Sequence, residues 1–181
     1  MNTRAQTLHR RIRVLVVAFV IGLVLSGITA FPLTWELQIL ARMLGIPDGA
    51  NPHDFSGLHW WIATVRNGLL DTDAKYPFLA YGTDWLAFAH LVIATAFIGV
   101  WRDAVRNIWI VEWAMLACVA VIPLALVCGP IRGIPFGWQL IDCSFGVVGI
   151  VPLFVLRRWI GELEKSQNAT FAHDNRLMAA D

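Results

Sequence analysis

The chain has 181 residues, of which 57% are hydrophobic and 15% are charged, and its formal net charge is +1. Soluble domains average roughly 45–50% apolar and about 25% charged residues, so the composition argues against an ordinary soluble protein. A net charge close to zero, with no basic stripe, also excludes nucleic acid as an expected partner.

The first apolar block covers residues 14–33 and follows a basic segment, residues 1–13, that contains four arginines. Signal peptides and first membrane-spanning helices share this pattern. The block is about 20 residues long, which matches a hydrocarbon core of about 30 Å and exceeds the apolar core of a signal peptide. The cleavage-like sequence "ITA" before Phe31 has isoleucine where a small residue is required. We therefore predict an uncleaved spanning helix.

A loop of about fifty residues, 34–83, separates the first block from the second, and we expect it to have structure of its own. Its beginning, "TWELQILARML", is predicted to extend the first helix or to lie along the surface. The segment "FSGLHWWIATVRNGLL" is predicted to form a helix bracketed by Gly57 and Gly68. One face of this helix would carry Leu58, Trp61, Ile62, Val65 and Leu69, and another face His59, Ala63 and Arg66. Adjacent tryptophans indicate a helix at the level of the lipid headgroups.

Three more apolar blocks of spanning length follow, at residues 84–101, 108–128 and 137–156. Together with the first block they predict an all-α integral membrane domain over residues 14–160. The fold class would be a four-helix transmembrane bundle with an additional interfacial helix in the first outer loop. Residues 161–181 are polar and are predicted to form a loose tail.

Lysine and arginine residues predict the orientation, because they concentrate in short cytoplasmic loops. One side would carry the four N-terminal arginines together with Arg102, Arg106, Arg157, Arg158 and Lys165, whereas the turn between the third and fourth spans has only Arg132. The N-terminal segment and the polar tail are therefore predicted to be cytoplasmic. The expected location is a bacterial-type inner membrane.

His90 is the one histidine within a predicted span. Ala87 and Ala94 lie on its helical face, and Phe97 and Trp101 continue that face. Small residues let a neighbouring helix approach closely, so we expect the imidazole to point into the bundle rather than toward lipid.

Polar residues from several segments are predicted to converge near the outer third of the bundle. The fourth span has a stripe of Gln139, Asp142, Gly146 and Gly149, and the first helix has a stripe of Gly22, Ser26, Thr29, Leu33 and Glu36. A charged residue inside a span costs several kcal/mol unless it is paired or hydrated, so pairing is favoured. The predicted ligand or proton site consists of Glu36, Asp84, His90, Arg132, Gln139 and Asp142. Glu112, near the inner end of the third span, is expected to pair with Arg102 or Arg106.

Four functional interpretations remain open. The polar cluster could fix helix packing in an accessory or assembly protein, or it could bind a small ligand or relay protons. A redox role is the alternative: His90 would ligate a b-type haem with His59 or His53, or the loop histidines would bind a metal. An enzyme is less favoured, because no catalytic sequence motif is present. The expected partners are the lipid bilayer and other membrane subunits or further copies of the chain.

Overall fold

The structure is a computed structural model that describes residues 3–178, with side chains described for residues 5–172 and Asn175. Within residues 3–178 it contains six α-helices, two 3-10 helices and no β-strand. The α-helices are α1 (Thr3–Ala30), α2 (Leu33–Met43), α3 (Gly57–Lys75), α4 (Tyr81–Arg102), α5 (Ile108–Ile131) and α6 (Phe136–Met178). The 3-10 helices are Pro52–Asp54 and Pro77–Ala80.

Four helical segments are long and apolar enough to cross a membrane. They are Ala5–Ala30, Pro77–Arg102, Ile108–Ile131 and Phe136–Ala172. Each contains most or all of one predicted span, because a run of about 20 apolar residues is a strong local signal. The chain is therefore a helical membrane protein, and the prediction of four apolar helices is confirmed.

The first span ends earlier than predicted, at Ala30 rather than at residue 33. Pro32 explains the break, because its ring lacks an N–H donor and disfavours the helical conformation of the preceding residue. The chain resumes as a separate helix, α2, with Pro32 at its N-cap position. Glu36 therefore belongs to α2, and the predicted stripe from Gly22 to Glu36 does not lie on one helix.

The prediction of a loose polar tail is wrong for residues 161–178, because α6 continues without interruption to Met178. Residues 162–178 contain neither proline nor glycine and include several strong helix formers. Arg158 and Glu162, four residues apart, also form an ion pair of 3.4 Å along this helix. Residues 179–181 lie outside the described part of the chain.

The chain divides into two compact units. Unit 1 comprises residues 1–21 and 95–181, and unit 2 comprises residues 22–94. In unit 1 the buried apolar side chains of α1 and α6 recur every three or four residues, as expected for helices that bury one face. They are Leu8, Ile12 and Val16 in α1 and Leu153, Leu156, Ile160 and Leu163 in α6.

Unit 2 contains the predicted loop helix as α3, which packs against α2. The helix passes through Gly68 and ends at Lys75, so the prediction that Gly68 brackets it is wrong. The predicted faces are also partly wrong, because Ala63 and Arg66 are buried with Ile62, whereas Leu58 is 51% exposed. The buried face of α3 therefore includes residues that the sequence assigned to the face of His59, Ala63 and Arg66. The position of this helix at a membrane interface stays a prediction.

Candidate functional site

The turn between α5 and α6 is built by a Schellman motif, a common way of ending a helix with a left-handed glycine. Gly133 has φ of 69°, and its N–H donates to the carbonyl of Pro130 at 3.1 Å. The N–H of Ile134 donates to the carbonyl of Gly129 at 2.9 Å. Arg132 is the C-cap residue of α5 and is exposed. The motif therefore places the guanidinium group at the very end of the helix.

Gln139 holds this turn from the first part of α6. Its side-chain Nε2 donates to the carbonyl of Ile134 at 2.7 Å, and the residue is only 4% exposed. A Cβ atom at Gly129 would lie 2.7 Å from Cγ and Cδ of Gln139, so a larger residue there would have to displace the Gln139 side chain. One N–H of the Gln139 side-chain amide is thus committed to the turn.

Asp142 follows Gln139 by three residues and lines a cavity of about 340 Å³ against α5. Arg132, Cys128, Phe145 and Val121 are among the other lining residues. Apolar side chains with a few polar groups are typical of small-ligand pockets, whose volumes are roughly 300–1,000 Å³. Asp142 is half-buried. Among the described residues, neither Asp142 nor Arg132 has a hydrogen-bond or ion-pair partner for its side chain.

His90 lies on α4 in unit 2 and is half-buried. Its Nδ1 is 2.8 Å from the carbonyl oxygen of Leu86, and because a carbonyl can only accept, Nδ1 carries the proton. A Cβ atom at Gly27 of α1 would lie 3.1 Å from the Cβ of His90 and 3.0 Å from the carbonyl oxygen of Ala87. The face of α4 that carries His90 therefore packs closely against α1, as the flanking small residues predicted.

The other two predicted site residues of unit 2 lie in the first turns of helices. Glu36 is in the first turn of α2 and Asp84 in the first turn of α4, and both are half-buried. Carboxylates are favoured there, because the first N–H groups of a helix lack intrahelical acceptors. The predicted cluster draws three residues from each unit, and their convergence stays a prediction.

The histidines of the redox alternative are in different structural elements. His53 lies in the 3-10 helix Pro52–Asp54 and His59 in the first turns of α3, and both are exposed. The imidazole of His59 stacks on Phe55 with ring centroids 6.5 Å apart. In the described part of the chain, no group of three or more His, Cys, Asp or Glu side chains could hold a metal ion.

Glu112 has a different partner from the predicted one. Its Oε1 accepts a hydrogen bond of 2.9 Å from Nε of Arg157 on α6, rather than from Arg102 or Arg106. The prediction considered only arginines close in sequence, whereas antiparallel packing of α5 and α6 places Arg157 beside the first turns of α5. The ion pair thus links the beginning of α5 to the middle of α6.

Arg66 is a structural residue that the sequence analysis did not single out. It is 1% exposed, and its Nη1 donates to the carbonyls of Pro47 and Ile46 at 3.0 and 3.4 Å. Its Nε and Nη2 donate to Oδ1 of Asn67, whose Nδ2 donates to the carbonyl of Ala50. Together they fasten the connection after α2. Three of the acceptors, in Ile46, Pro47 and Ala50, are backbone carbonyls, which leave no side-chain pattern in the sequence.

Comparison with protein-family models, curated proteins and solved structures found no match to this chain. The chain is a helical membrane protein, and the cavity at the turn between α5 and α6 is lined by two of the predicted site residues, Arg132 and Asp142.

Proposed function

We propose that the protein is a multi-pass membrane component that binds a small polar molecule at the turn between α5 and α6. The observation that carries this proposal is the pair Arg132 and Asp142, which line one cavity of about 340 Å³. In the described residues the two side chains form no ion pair with each other or with another group. A charged group near a membrane gains from a partner, so a ligand would supply what the protein does not.

The two charges define the kind of ligand. A guanidinium group recognises a carboxylate or phosphate through paired hydrogen bonds, and a carboxylate accepts from an ammonium group. A small zwitterion, with one group of each sign, would satisfy both residues at once. The apolar side chains around them, such as Phe145 and Val121, would exclude water and strengthen both interactions.

The charge pattern of the loops supports the orientation in which this turn faces the outside of the cell, because it carries only one basic residue. The site would then receive its ligand from the outer side of an inner membrane. Gln139 would act as a support, since its amide group holds the turn.

The experiment is a binding assay on the full chain purified in mild detergent. The probes are amino acids as zwitterions, short monocarboxylates and short alkylamines, and the readout is a saturable shift in Tm followed by calorimetry. We expect zwitterions to bind best. Arg132→Gln and Asp142→Asn should each raise the Kd about 10- to 100-fold, because a hydrogen bond to a charged group contributes roughly 1.5–3 kcal/mol.

Matched controls come from an exposed ion pair elsewhere in the chain. Arg42 and Asp48 lie 3.2 Å apart with side chains 64% and 66% exposed, so Arg42→Gln and Asp48→Asn make the same chemical changes at residues that do not line the cavity. Both controls should bind as the unchanged protein does. The proposal is wrong if no probe class binds saturably, or if Asp142→Asn and Arg132→Gln bind with unchanged affinity.

An accessory or assembly role is the second candidate, and the placement of Gln139 favours it. At least part of the predicted polar cluster holds the protein's own backbone in place. The partners would be other membrane subunits or further copies of the chain. Purification from native membranes in mild detergent, followed by mass measurement of the intact particle, would separate this role from ligand binding by a free monomer.

A further inference from the structure

Two of the three arginines at residues 10–13 of α1 lie beside tryptophans of other helices in unit 1. The guanidinium carbon of Arg11 is 6.0 Å from the ring centroid of Trp159, and that of Arg13 is 5.1 Å from the ring centroid of Trp101. Stacking of this kind holds a guanidinium group over an aromatic face while its N–H edges stay available. We call Arg10, Arg11 and Arg13 the arginine cluster.

The arginine cluster carries no carboxylate partner in the described residues. The ion pairs there join Arg42, Lys75, Arg157 and Arg158 to acidic groups, and none includes Arg10, Arg11 or Arg13. Three positive charges within four residues repel one another, so a bound anion would relieve an existing electrostatic cost.

Two apolar grooves lie along α1, and the first of them begins at the arginine cluster. One, of about 400 Å³, is lined by Arg10 and Arg11 at one end and then by Val14, Leu15, Ala18 and Trp159. A second groove of about 330 Å³ lies one turn further along, between Val16, Val20, Phe97 and Trp101. In both grooves the apolar side chains therefore lie next to a tryptophan, and the ring of that tryptophan is stacked against an arginine.

We infer that this surface binds an anionic phospholipid. The phosphate would accept hydrogen bonds from the arginine cluster, and an acyl chain would lie in the groove formed by Val14, Ala18 and Trp159. The charge pattern supports this occupant, because basic residues beside a spanning helix attract the anionic lipids of the cytoplasmic leaflet. Tryptophans mark the same level, since they prefer the boundary between headgroups and acyl chains.

The test uses the full chain in mild detergent, with phosphatidylglycerol or phosphatidylcholine added in equal amounts. Retained lipids are counted by mass spectrometry of the intact particle, and the apparent Kd is obtained by titration. Phosphatidylglycerol should be retained and should raise the Tm, and phosphatidylcholine should do neither. In Arg10→Gln/Arg11→Gln the apparent Kd should rise about 30-fold, because each basic residue contributes about one kcal/mol near an anionic surface.

Two further variants separate the headgroup from the chain. Arg158→Gln/Lys165→Gln removes the same charge from α6 and should change the Kd less than twofold, because neither residue lines these grooves. Ala18→Trp keeps every charge but fills the groove, and it should weaken phosphatidylglycerol binding as strongly as the double arginine variant.

Inorganic phosphate and glycerol phosphate provide the water-soluble comparison. They should not raise the Tm at concentrations where the lipid does. The inference is overturned if these soluble anions stabilise the protein equally, if the two lipids bind alike, or if Ala18→Trp retains phosphatidylglycerol as the unchanged chain does.

Discussion

Gly146 of α6 lies directly against the backbone of Cys118 in α5, so that a Cβ atom added at Gly146 would collide with the carbonyl oxygen of Cys118. Gly149, one turn later, would place a Cβ 3.1 Å from Sγ of the same cysteine. Glycine on one membrane helix lets the backbones approach closely, and van der Waals contact then stabilises the pair. The predicted stripe of small residues on the fourth span therefore serves the packing of α5 against α6.

We expect Gly146→Ala to destabilise the protein by about 1–3 kcal/mol, the usual cost of adding a methyl group to a closely packed site. The backbone oxygen of Cys118 cannot rotate away as a side chain could. Gly161→Ala on the same helix is the control, because a Cβ there meets nothing within 4 Å. The control should stabilise the helix by up to about 1 kcal/mol, as alanine does in place of glycine. Thermal unfolding in detergent measures the stability of both variants, and equal Tm values for the two would refute the close contact.

Arg66→Met should loosen the connection between α2 and α3. Methionine keeps most of the buried volume but leaves the carbonyls of Ile46 and Pro47 without a donor, at a cost of about 1–3 kcal/mol for each buried unsatisfied group. Limited proteolysis should show faster cleavage near residues 45–50. Arg42→Gln, which breaks an exposed ion pair, should be cleaved at the same rate as the unchanged protein. Equal cleavage of the two variants would show that Arg66 does not fasten the connection.

The ion pair between Glu112 and Arg157 can be measured with a double-mutant cycle. The variants are Glu112→Gln, Arg157→Gln and the combination, compared by reversible unfolding in detergent. Because both side chains are about half exposed, we expect a coupling energy of about 0.2–1 kcal/mol. Pairing Glu112→Gln with Arg106→Gln should give no coupling. A coupling between Glu112 and Arg106 equal to that with Arg157 would contradict the observed contact.

The predicted orientation has its own test. A fluorescent protein fused after Asp181 should be fluorescent in bacterial cells, and an alkaline phosphatase fused there should be inactive, if the end of the chain is cytoplasmic. A cysteine introduced at the exposed residue Asp48, with the native cysteines replaced by alanine, should react with a membrane-impermeant maleimide in intact cells. The opposite result in both assays would reverse the assignment of faces, and with it the access route of the proposed ligand.

The apolar runs predicted the four long helices well, because about 20 apolar residues in sequence have few structural solutions other than a spanning helix. The same runs do not show which face of a helix meets which neighbour. Arg66 illustrates the limit: helical spacing assigned it to a face of the loop helix, but did not indicate that its guanidinium group donates to the backbone carbonyls of Ile46 and Pro47. Glu112 was given a partner close in sequence because the pairing with Arg157 arises only when α5 and α6 fold against each other.

For the candidate site, the sequence placed Arg132, Gln139 and Asp142 in one predicted cluster of six polar residues. It did not separate their tasks. The division between Gln139, which holds the turn, and the other two, which line the cavity, follows from the hydrogen bond to Ile134 and the close approach of Gly129. The glycine after Arg132 was a usable signal, since glycine at that place is typical of a helix end.

The unbroken length of α6 has a mechanical consequence. Its 43 residues span about 64 Å at a rise of about 1.5 Å per residue, roughly twice the thickness of a hydrocarbon core. If α6 tilts as a rigid rod, a rotation of about 5° about the end near Asp142 displaces the opposite end by roughly 6 Å, given the same rise per residue. A small tilt of α6 at the turn would thus become a larger displacement at the other end of the helix, about as large as a side chain.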